Sequence, residues 1–308
     1  MNKSPFSDLK IMVCGEVCID RYTSGTCNRQ SPEFDVPVIN DIQTKNFPGM
    51  AANVVMNLRA LGAKADLYTV VGEISPLTDW LYGQCRDKCV FVHDPSRPTI
   101  EKIRLISNDK HLARIDIESR KAVSKGVGRQ YLDQLCAALP NYDAVVLQDY
   151  NKGLWTMETL KFIKHAWAGG KKVFVDPGYG RGLQVYTGAY LVKLNSVEAT
   201  AQSTSVTSVF PEDIAYDLQC VTRIPYVCIT LGAKGMVCAY DDGRMFEPAN
   251  RVDCIDVCGA GDTALSALCL AMTKNYGLRD AMILANRAAG LSVQQAGPGK
   301  VSWTELFQ

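Results

Sequence analysis

The sequence has few histidines and lacks the C-x-x-C pairs of many zinc sites. Only three histidines occur among its 308 residues, and its twelve cysteines include no C-x-x-C motif. Because structural zinc sites use such groups at close spacing, the sequence argues against one. The cysteines are dilute and mostly lie within apolar runs, which is typical of free buried thiols in a reducing compartment.

The sequence also lacks long hydrophobic runs and an excess of either charge. No stretch approaches the roughly 18 apolar residues of a membrane span, and the N-terminal MNKSPFSDLK lacks the apolar core of a secretory signal. Thirty-three basic residues against thirty-two acidic ones leave a formal charge of +1. Such a balance gives no overall field toward nucleic acid or anionic lipid. We therefore expect a cytoplasmic protein that binds neither nucleic acid nor membrane.

Short apolar runs alternate with segments of helical periodicity along most of the chain. With 47% hydrophobic and 21% charged residues, the composition is that of a globular protein. The alternation predicts an α/β fold with a mostly parallel sheet covered on both faces by helices. Buried strands are predicted at 11–14, 67–71, 144–148, 172–176, 190–194, 226–230 and 236–240, and helices at 51–61, 127–139, 157–168, 211–222, 260–274 and 278–295.

Two regions do not follow that alternation. The segments at about 21–46 and 99–118 interleave polar and apolar residues, as one-faced antiparallel strands do. They predict a small sheet standing on the main one, and both a lid over an active site and a plain edge hairpin fit this pattern. No internal repeat or interdomain linker interrupts the sequence, so we expect residues 1–308 to form one domain with this β insert.

The segment DVCGAGDT (256–263) is the motif richest in chemistry, and it leads directly into an apolar helix. Gly259 and Gly261 leave the backbone bare where unpaired N–H groups and the helix dipole favour an anion. Asp262 follows them in the first helical turn. It is a candidate functional carboxylate, although a plain helix cap is the other interpretation.

A second motif, PGMAAN (48–53), comes about 205 residues earlier. Asn53 lies one turn inside an apolar helix, where its amide suits a ligand hydroxyl or simply faces solvent. Together the two motifs resemble those of the ribokinase-like (PfkB-type) sugar kinases, whose patterns are GG-x-x-x-N and D-T-x-G-A-G-D. Their order and separation match as well.

Within that family the chain most resembles the heptose-7-phosphate kinases, the kinase half of the bifunctional ADP-heptose enzymes. The resemblance implies a three-layer α/β/α fold with a small β-sheet lid, and ATP-dependent phosphorylation of the anomeric hydroxyl of D-glycero-D-manno-heptose 7-phosphate. The length leads us to expect a stand-alone kinase without the second, nucleotidyl-transferring domain. The segments that carry the resemblance are 15–22, 28–40, 99–116, DYNKG (149–153), VDP (175–177) and NSVE (195–198), of which 28–40 discriminates best.

The resemblance also implies roles at the reacting centre. Asp262 would take the proton from the attacking hydroxyl, while backbone amides hold the transferred phosphoryl group. Those amides belong to Gly259, Ala260 and Gly261.

Further residues are implied for the sugar phosphate. Its hydroxyls would meet Asp20 and Asn53 beside Gly49, and Asp149 and Lys152 would lie near the reacting groups. Cations on the predicted lid would bind the substrate's phosphate, although surface charge on an edge strand is the other interpretation. These cations are Lys102, Arg104 and Arg114, of which the first two share a strand face.

For ATP and its ions the implied set lies later in the chain. Glu198 would organise Mg²⁺ largely through water, and a monovalent cation such as K⁺ would lie near Asp256. The stretch Gly232–Gly235 brings backbone close to phosphates or is only a reverse turn. The nucleotide set comprises Lys193, Asn195, Leu231, Gly232, Gly235 and Asn286.

Three positions depart from the family pattern. Met50 replaces the second glycine of the first motif and predicts a reshaped sugar pocket. Cys258 replaces a threonine, which predicts sensitivity to thiol reagents. Lys193 stands where heptose kinases have threonine, and lysine there is more like other sugar kinases.

Other functions remain open at this level. The same fold serves kinases of other sugars or nucleosides, and a silent sugar-phosphate or nucleotide sensor would also keep it. A dinucleotide oxidoreductase is disfavoured because Gly15-Glu16-Val17-Cys18, after the first strand, lacks the second glycine of G-x-G-x-x-G. An exposed lid edge predicts pairing with a second copy, and hence a homodimer.

Overall fold

The computed structural model describes residues 3–85, 89–108, 110–203, 210–241 and 243–307. Within these ranges thirteen strands form a nine-stranded sheet and a four-stranded sheet. The strands are β1 Lys10–Gly15, β2 Val17–Gln30, β3 Pro37–Met50, β4 Lys64–Val71, β5 Cys89–His93, β6 Ile100–Ser107, β7 Lys110–Ile117, β8 Ala144–Gln148, β9 Lys172–Asp176, β10 Leu191–Asn195, β11 Tyr226–Thr230, β12 Gly235–Tyr240 and β13 Gly243–Pro248.

The large sheet has the order β13-β12-β11-β10-β9-β8-β1-β4-β5. Its strands run parallel from β11 to β5, whereas β12 and β13 are antiparallel. Most of the apolar runs predicted as strands lie in the parallel part of this sheet, where both faces are buried. The carboxyl ends of the parallel strands share one edge, which is where ligands bind in open α/β sheets. Polar side chains end three neighbouring strands there: Gln148, Asp176 and Asn195.

Helices cover both faces of this sheet and complete a three-layer α/β/α arrangement. One face packs against α1, α7 and α8, and the other against α3, α4 and α6. The predicted α/β class is therefore confirmed. No helix among the described residues is both long and apolar enough to cross a membrane. The helices are α1 Ala51–Ala60, α2 Pro76–Gln84, α3 Lys125–Ala138, α4 Lys161–Ala168, α5 Ser196–Gln202, α6 Pro211–Thr222, α7 Ala260–Thr273 and α8 Leu278–Ser292.

Some boundaries differ from the sequence prediction. Helix α4 begins at Lys161, not 157, because the preceding turn is held by Thr156 N donating to Thr159 Oγ1 at 2.7 Å. Helix α2 was not predicted; it begins with a capping box in which Ser75 and Thr78 bond each other's backbone. Strand β5 was also missed. It lies at the sheet edge and is only half-buried, although its first four residues, Cys89–Val92, form an apolar run like those of the predicted strands.

The small sheet has the order β3-β2-β6-β7 and confirms the predicted β insert. Its outer pairs are antiparallel, but the central pair, β2 with β6, is parallel. The expectation of a wholly antiparallel sheet was therefore wrong. Strand β2 follows β1 after a single residue, and β6 follows β5, so both rise from the same edge of the large sheet and run in the same direction.

Candidate active site

The turn before α7 exposes backbone N–H groups. Gly259 has φ of +80°, and a Cβ there would lie only 2.7 Å from Asn53 Nδ2. Thr263 N donates to Gly259 O at 3.0 Å, so the amides of Gly261 and Asp262 precede that bond in the first turn. These amides, together with the helix dipole, favour an anion at this end of α7.

The carboxylate of Asp262 is buried in this turn and held by three side chains. Its Oδ2 accepts from Asn53 Nδ2 at 2.8 Å, and its Oδ1 accepts from Gln148 Nε2 at 3.0 Å and from Tyr150 Oη at 3.3 Å. Burial and the nearby charge of Asp176 raise the pKa of Asp262 to about 6, although the donated hydrogen bonds and Lys193 oppose this. A carboxyl with such a pKa exchanges a proton near neutral pH.

A buried ion pair lies beside the same turn. Lys193 Nζ donates to Asp176 Oδ2 at 2.7 Å, and a Cβ added at Gly261 would lie 2.9 Å from that ammonium. Burial disfavours the charge on Lys193, but the Asp176 carboxylate outweighs this and raises the pKa of the ammonium. A fixed positive charge therefore stands next to the exposed amides, as an arriving phosphate requires.

Two clefts open on either side of this turn. The larger, of about 990 Å³, has largely apolar walls that include Val252, Val257 and Ala264. The smaller, of about 390 Å³, is lined mostly by polar and charged side chains, with Asp262 on its wall. Gly261 lines both clefts, so a ligand group at the turn is reached from either side.

The small sheet contributes Lys102 to the wall of the polar cleft and lies beside the turn before α7. Arg104 Nη1 lies 2.5 Å from Asp20 Oδ1, and its guanidinium lies 4.9 Å from the Tyr22 ring centroid. Gly49 leaves room for this arrangement, because any Cβ there would collide with the Asp20 carboxylate. Arg104 Nη2 also lies 3.9 Å from Cys258 Sγ, so the strand contacts the turn before α7.

The loop after β8 forms another wall of the polar cleft. Buried Glu16 accepts from the backbone N–H groups of Tyr150, Lys152 and Leu154 at 2.6, 2.9 and 3.1 Å. Its burial, with the nearby charge of Asp149, raises the pKa of Glu16 to about 7. The carboxylate thus fixes the loop that presents Tyr150 and Lys152 to the cleft.

Comparison with known proteins matches residues 8–305 to the pfkB family carbohydrate kinase model. The chain belongs to the PfkB family of carbohydrate kinases. The bifunctional protein HldE of Chromohalobacter salexigens is 36% identical over 310 residues, which cover 97% of the kinase and 63% of that relative. The kinase thus spans less than two thirds of the length of this relative.

Solved structures show the same fold at lower identity. Phosphofructokinase-2 from Escherichia coli in complex with potassium has a TM-score of 0.77 at 16% identity, covering 97% of the kinase and 96% of that chain. Ribokinase from Arabidopsis thaliana complexed with ribose and ATP has a TM-score of 0.75 at 18% identity, covering 97% of each chain. The ribokinase-like fold expected from the motifs is therefore confirmed.

Three of the eight residues predicted for the sugar phosphate line the polar cleft. These are Lys102, Asp149 and Lys152, and Asn53 donates to Asp262, which also lines the cleft. Asp149 is also bound by Arg181 at 3.0 Å, and Lys152 Nζ lies 2.5 Å from Glu118 Oε1.

Two of the three predicted lid cations, Arg104 and Arg114, do not line the polar cleft. Arg104 pairs with Asp20, whereas Arg114, which stands opposite Arg104 in the strand register, is exposed and bonds to Asp116 at 2.8 Å. The alternation along β6 identified Lys102 and Arg104 as neighbours on one face, but no local pattern told which residue of β7 faces the site.

The predicted nucleotide residues divide between the two clefts. Gly232, Gly235 and Asn286 line the apolar one, whereas Lys193 and Asn195 line the polar one. Leu231 lines neither, and its backbone N–H donates to Gly235 O at 2.8 Å.

The two residues predicted to bind cations mainly brace local turns. Asn195 and Glu198 form a capping box at the start of α5, and burial raises the pKa of Glu198. Asp256 accepts from the amides of Cys258 and Gly297 at 2.9 and 3.0 Å, which fixes the segment before the helix turn.

Several site residues were missed in the sequence. Gln148 and Tyr150 donate to Asp262, and Asp176 pairs with Lys193. Arg120 lines the polar cleft. Gln148 and Asp176 carried a usable signal, because each is a polar residue that ends an otherwise apolar strand at the ligand edge. Arg120 follows the lid in an irregular loop and carried none.

Proposed function

We propose that the kinase transfers the γ-phosphoryl group of ATP to the anomeric hydroxyl of D-glycero-D-manno-heptose 7-phosphate. The supporting observation is the buried Asp262 carboxylate, with its pKa of about 6, at a helix N-terminus between an apolar and a charged cleft. The 36% identity to a bifunctional HldE over nearly the whole chain supports this acceptor over other sugars.

Each part of the transfer has a candidate in the site. Asp262 would accept the proton of the attacking hydroxyl as its oxygen bonds to the γ-phosphorus and ADP leaves. The amides of Gly259 and Gly261 would hold the charge that develops on the phosphoryl oxygens, whereas the Ala260 amide donates to Val257 O at 3.3 Å. Lys193 would neutralise the same group, since its ammonium stands beside Gly261.

The apolar cleft suits the nucleotide. Its walls at Val252 and Val257 offer a flat surface for a base, and Gly232 and Gly235 let backbone approach the phosphates closely. Asn286 lines the same cleft, although its amide donates to Glu247 O at 2.9 Å. ATP bound there would reach the amides of the α7 turn.

The cations of the reaction would rely on few protein ligands. Among the described residues no group of three or more His, Cys, Asp or Glu side chains is placed to hold a metal. Mg²⁺, which neutralises the phosphates when bound, would therefore be held by ATP and water, with Glu198 as an outer partner. A potassium ion beside Asp256 is also proposed, and a structure of E. coli phosphofructokinase-2 contains potassium.

The polar cleft suits a phosphorylated sugar. Lys102, Lys152 and Arg120 line it and supply positive charge for a phosphate remote from the reacting hydroxyl. Arg104 and Asp20 pair above the cleft and would bind sugar hydroxyls together with Asn53. Met50 is buried beside Cys18 and Ile100, and its side chain would reshape the sugar pocket from beneath Tyr150, which packs on this cluster.

A substrate panel tests the proposal. ADP release is followed with Mg-ATP and either heptose 7-phosphate, other sugar phosphates, free sugars or nucleosides, and NMR identifies the product. We expect the highest kcat/KM for heptose 7-phosphate and its loss in Asp262→Asn. A faster reaction with a free sugar or nucleoside would overturn the acceptor, and a flat panel would point to a silent sensor.

Lys102→Ala tests the cation-lined cleft separately. Because this ammonium faces the cleft, we expect KM for the sugar phosphate to rise about tenfold with little change in kcat. Arg129→Ala, at an exposed position on α3, is the matched control. An unchanged KM in Lys102→Ala would place the substrate phosphate elsewhere.

We also propose a homodimer formed through the small sheet. Strand β7 is an edge strand on which Leu112, Ile115 and Ile117 are each at least 39% exposed. An open edge with apolar side chains favours pairing with a second copy. Sedimentation at micromolar concentration should show a dimer; a monomer that stays active would refute it.

A further inference from the structure

One oxygen of Asp262 is held by two side chains from the end of β8. Gln148 Nε2 and Tyr150 Oη donate to Oδ1 at 3.0 and 3.3 Å. Gln148 is fully buried, and its Oε1 has no hydrogen-bond partner among the described residues, so its Nε2 contact with Asp262 is the polar contact of this side chain there. Neither side chain was assigned a role from the sequence.

The Tyr150 hydroxyl is placed by rigid surroundings. The ring packs against a small buried cluster formed by Cys18, Met50 and Ile100, and the Lys102 ammonium lies 5.8 Å from its centroid. Its backbone N–H donates to the buried Glu16 carboxylate at 2.6 Å. With both ring and backbone fixed, the hydroxyl has little freedom to leave Asp262.

The other oxygen of Asp262 is less occupied. Among the described residues, Oδ2 accepts from Asn53 Nδ2 at 2.8 Å. A carboxylate oxygen accepts about two hydrogen bonds, so Oδ1 is filled by its two donors while Oδ2 retains one position. A substrate hydroxyl therefore meets an open acceptor at Oδ2.

We propose that Gln148 and Tyr150 are positioning residues that clamp Oδ1 of Asp262 and leave Oδ2 to take the proton of the sugar hydroxyl. This rests on the proposed role of Asp262 as the base. In this step the proton of the sugar hydroxyl passes to Oδ2, and the hydroxyl oxygen bonds to the γ-phosphorus. The bond from that phosphorus to the leaving ADP oxygen breaks. The clamp orients the carboxylate and favours its ionised form.

Carboxyl NMR tests the clamp without any substrate. In full-length protein labelled with ¹³C at aspartate side chains, the Asp262→Asn spectrum assigns the Asp262 resonance. Removing a donor to an ionised group disfavours that ionised form, so Tyr150→Phe should raise the titration midpoint of Asp262 by about half to one pH unit. Gln148→Met, of similar volume, should raise it as well.

Tyr142→Phe is the matched control, since it also removes a phenol hydroxyl that bonds a carboxylate. Its partner, Asp66 Oδ2 at 2.6 Å, lies near the amino end of β4, at the opposite edge of the sheet. The Asp262 midpoint should not move in this variant. An unmoved midpoint in both Tyr150→Phe and Gln148→Met, with folding verified by circular dichroism, would overturn the clamp.

Kinetics with Mg-ATP and heptose 7-phosphate separate the clamp from the proposed function. The acid limb of kcat/KM should move upward in Tyr150→Phe by the same amount, and the activity deficit should shrink as pH rises. Full activity in Asp262→Asn would refute the base itself. A dead Asp262→Asn beside an unmoved acid limb in Tyr150→Phe would refute only the clamp.

Discussion

The two clefts beside α7 differ in charge although they share a wall. Three of the 21 residues lining the larger cleft are charged, against eight of the 15 lining the smaller. The apolar walls come from α7, α8 and the segment after β13, whereas the charged walls come from the ends of parallel strands and the small sheet. Among the described residues the two clefts therefore share one lining residue, Gly261 of the glycine turn.

The largest expected effect comes from breaking that shared turn. In Gly259→Ala the new Cβ would need a φ of +80° and would collide with the Asn53 amide that holds Asp262. We expect kcat to fall at least about 100-fold, a loss of the size seen when one oxyanion donor is removed. Steady-state kinetics of the folded variant measure it.

Gly126→Ala controls for the methyl group, because a Cβ at that position on α3 meets nothing within 4 Å. Its kcat should equal that of the parent. If Gly259→Ala stayed within threefold of the parent, the turn would not be the point at which the two clefts cooperate.

A smaller effect should separate the clefts from each other. Val252→Glu places a charge on the apolar wall and should raise KM for ATP about tenfold, with KM for the sugar phosphate unchanged. Arg120→Ala removes a cation from the polar cleft and should raise KM for the sugar phosphate, with KM for ATP unchanged. Both KM values are measured for both variants. Equal changes in the two KM values would contradict the assignment of ATP to the apolar cleft and of the sugar phosphate to the polar cleft.

The sequence predicted the large sheet well because its strands are buried on both faces. The strands predicted at 144–148 and 226–230 have apolar centres, and the structure places strands at those limits. The half-buried edge strand β5 was missed although its first four residues are apolar. The expected antiparallel direction was wrong for β2 and β6, which run parallel. Their relative direction depends on where each strand leaves the large sheet and not on its own residues.

Within the site, the sequence located the backbone features and missed the pairings. Gly259, Gly261 and Asp262 form a local motif whose role as a helix start follows from adjacent residues. Tyr150 reaches Asp262 across 112 positions, so the contact follows from strand order and not from spacing. Arg104 was predicted to bind a phosphate, but it pairs with Asp20 because β6 lies beside β2.

The smallest expected effect is a change in the free energy of unfolding with pH, caused by the carboxyl of Asp262 in the charged cleft. The pKa of Asp262 is about 6 in the folded chain against 3.8 for an ordinary aspartate, so between these values the folded state binds a proton that the unfolded state does not. The contribution of this group to stability is therefore lost as pH rises through that window. Asp262→Asn has no such group. From pH 4 to pH 8, its free energy of unfolding should gain about 2 to 3 kcal/mol relative to the parent's, as chemical denaturation would measure. The exposed Asp133→Asn should gain nothing, and an equal gain there would mean that Asp262 is no more perturbed than a surface aspartate.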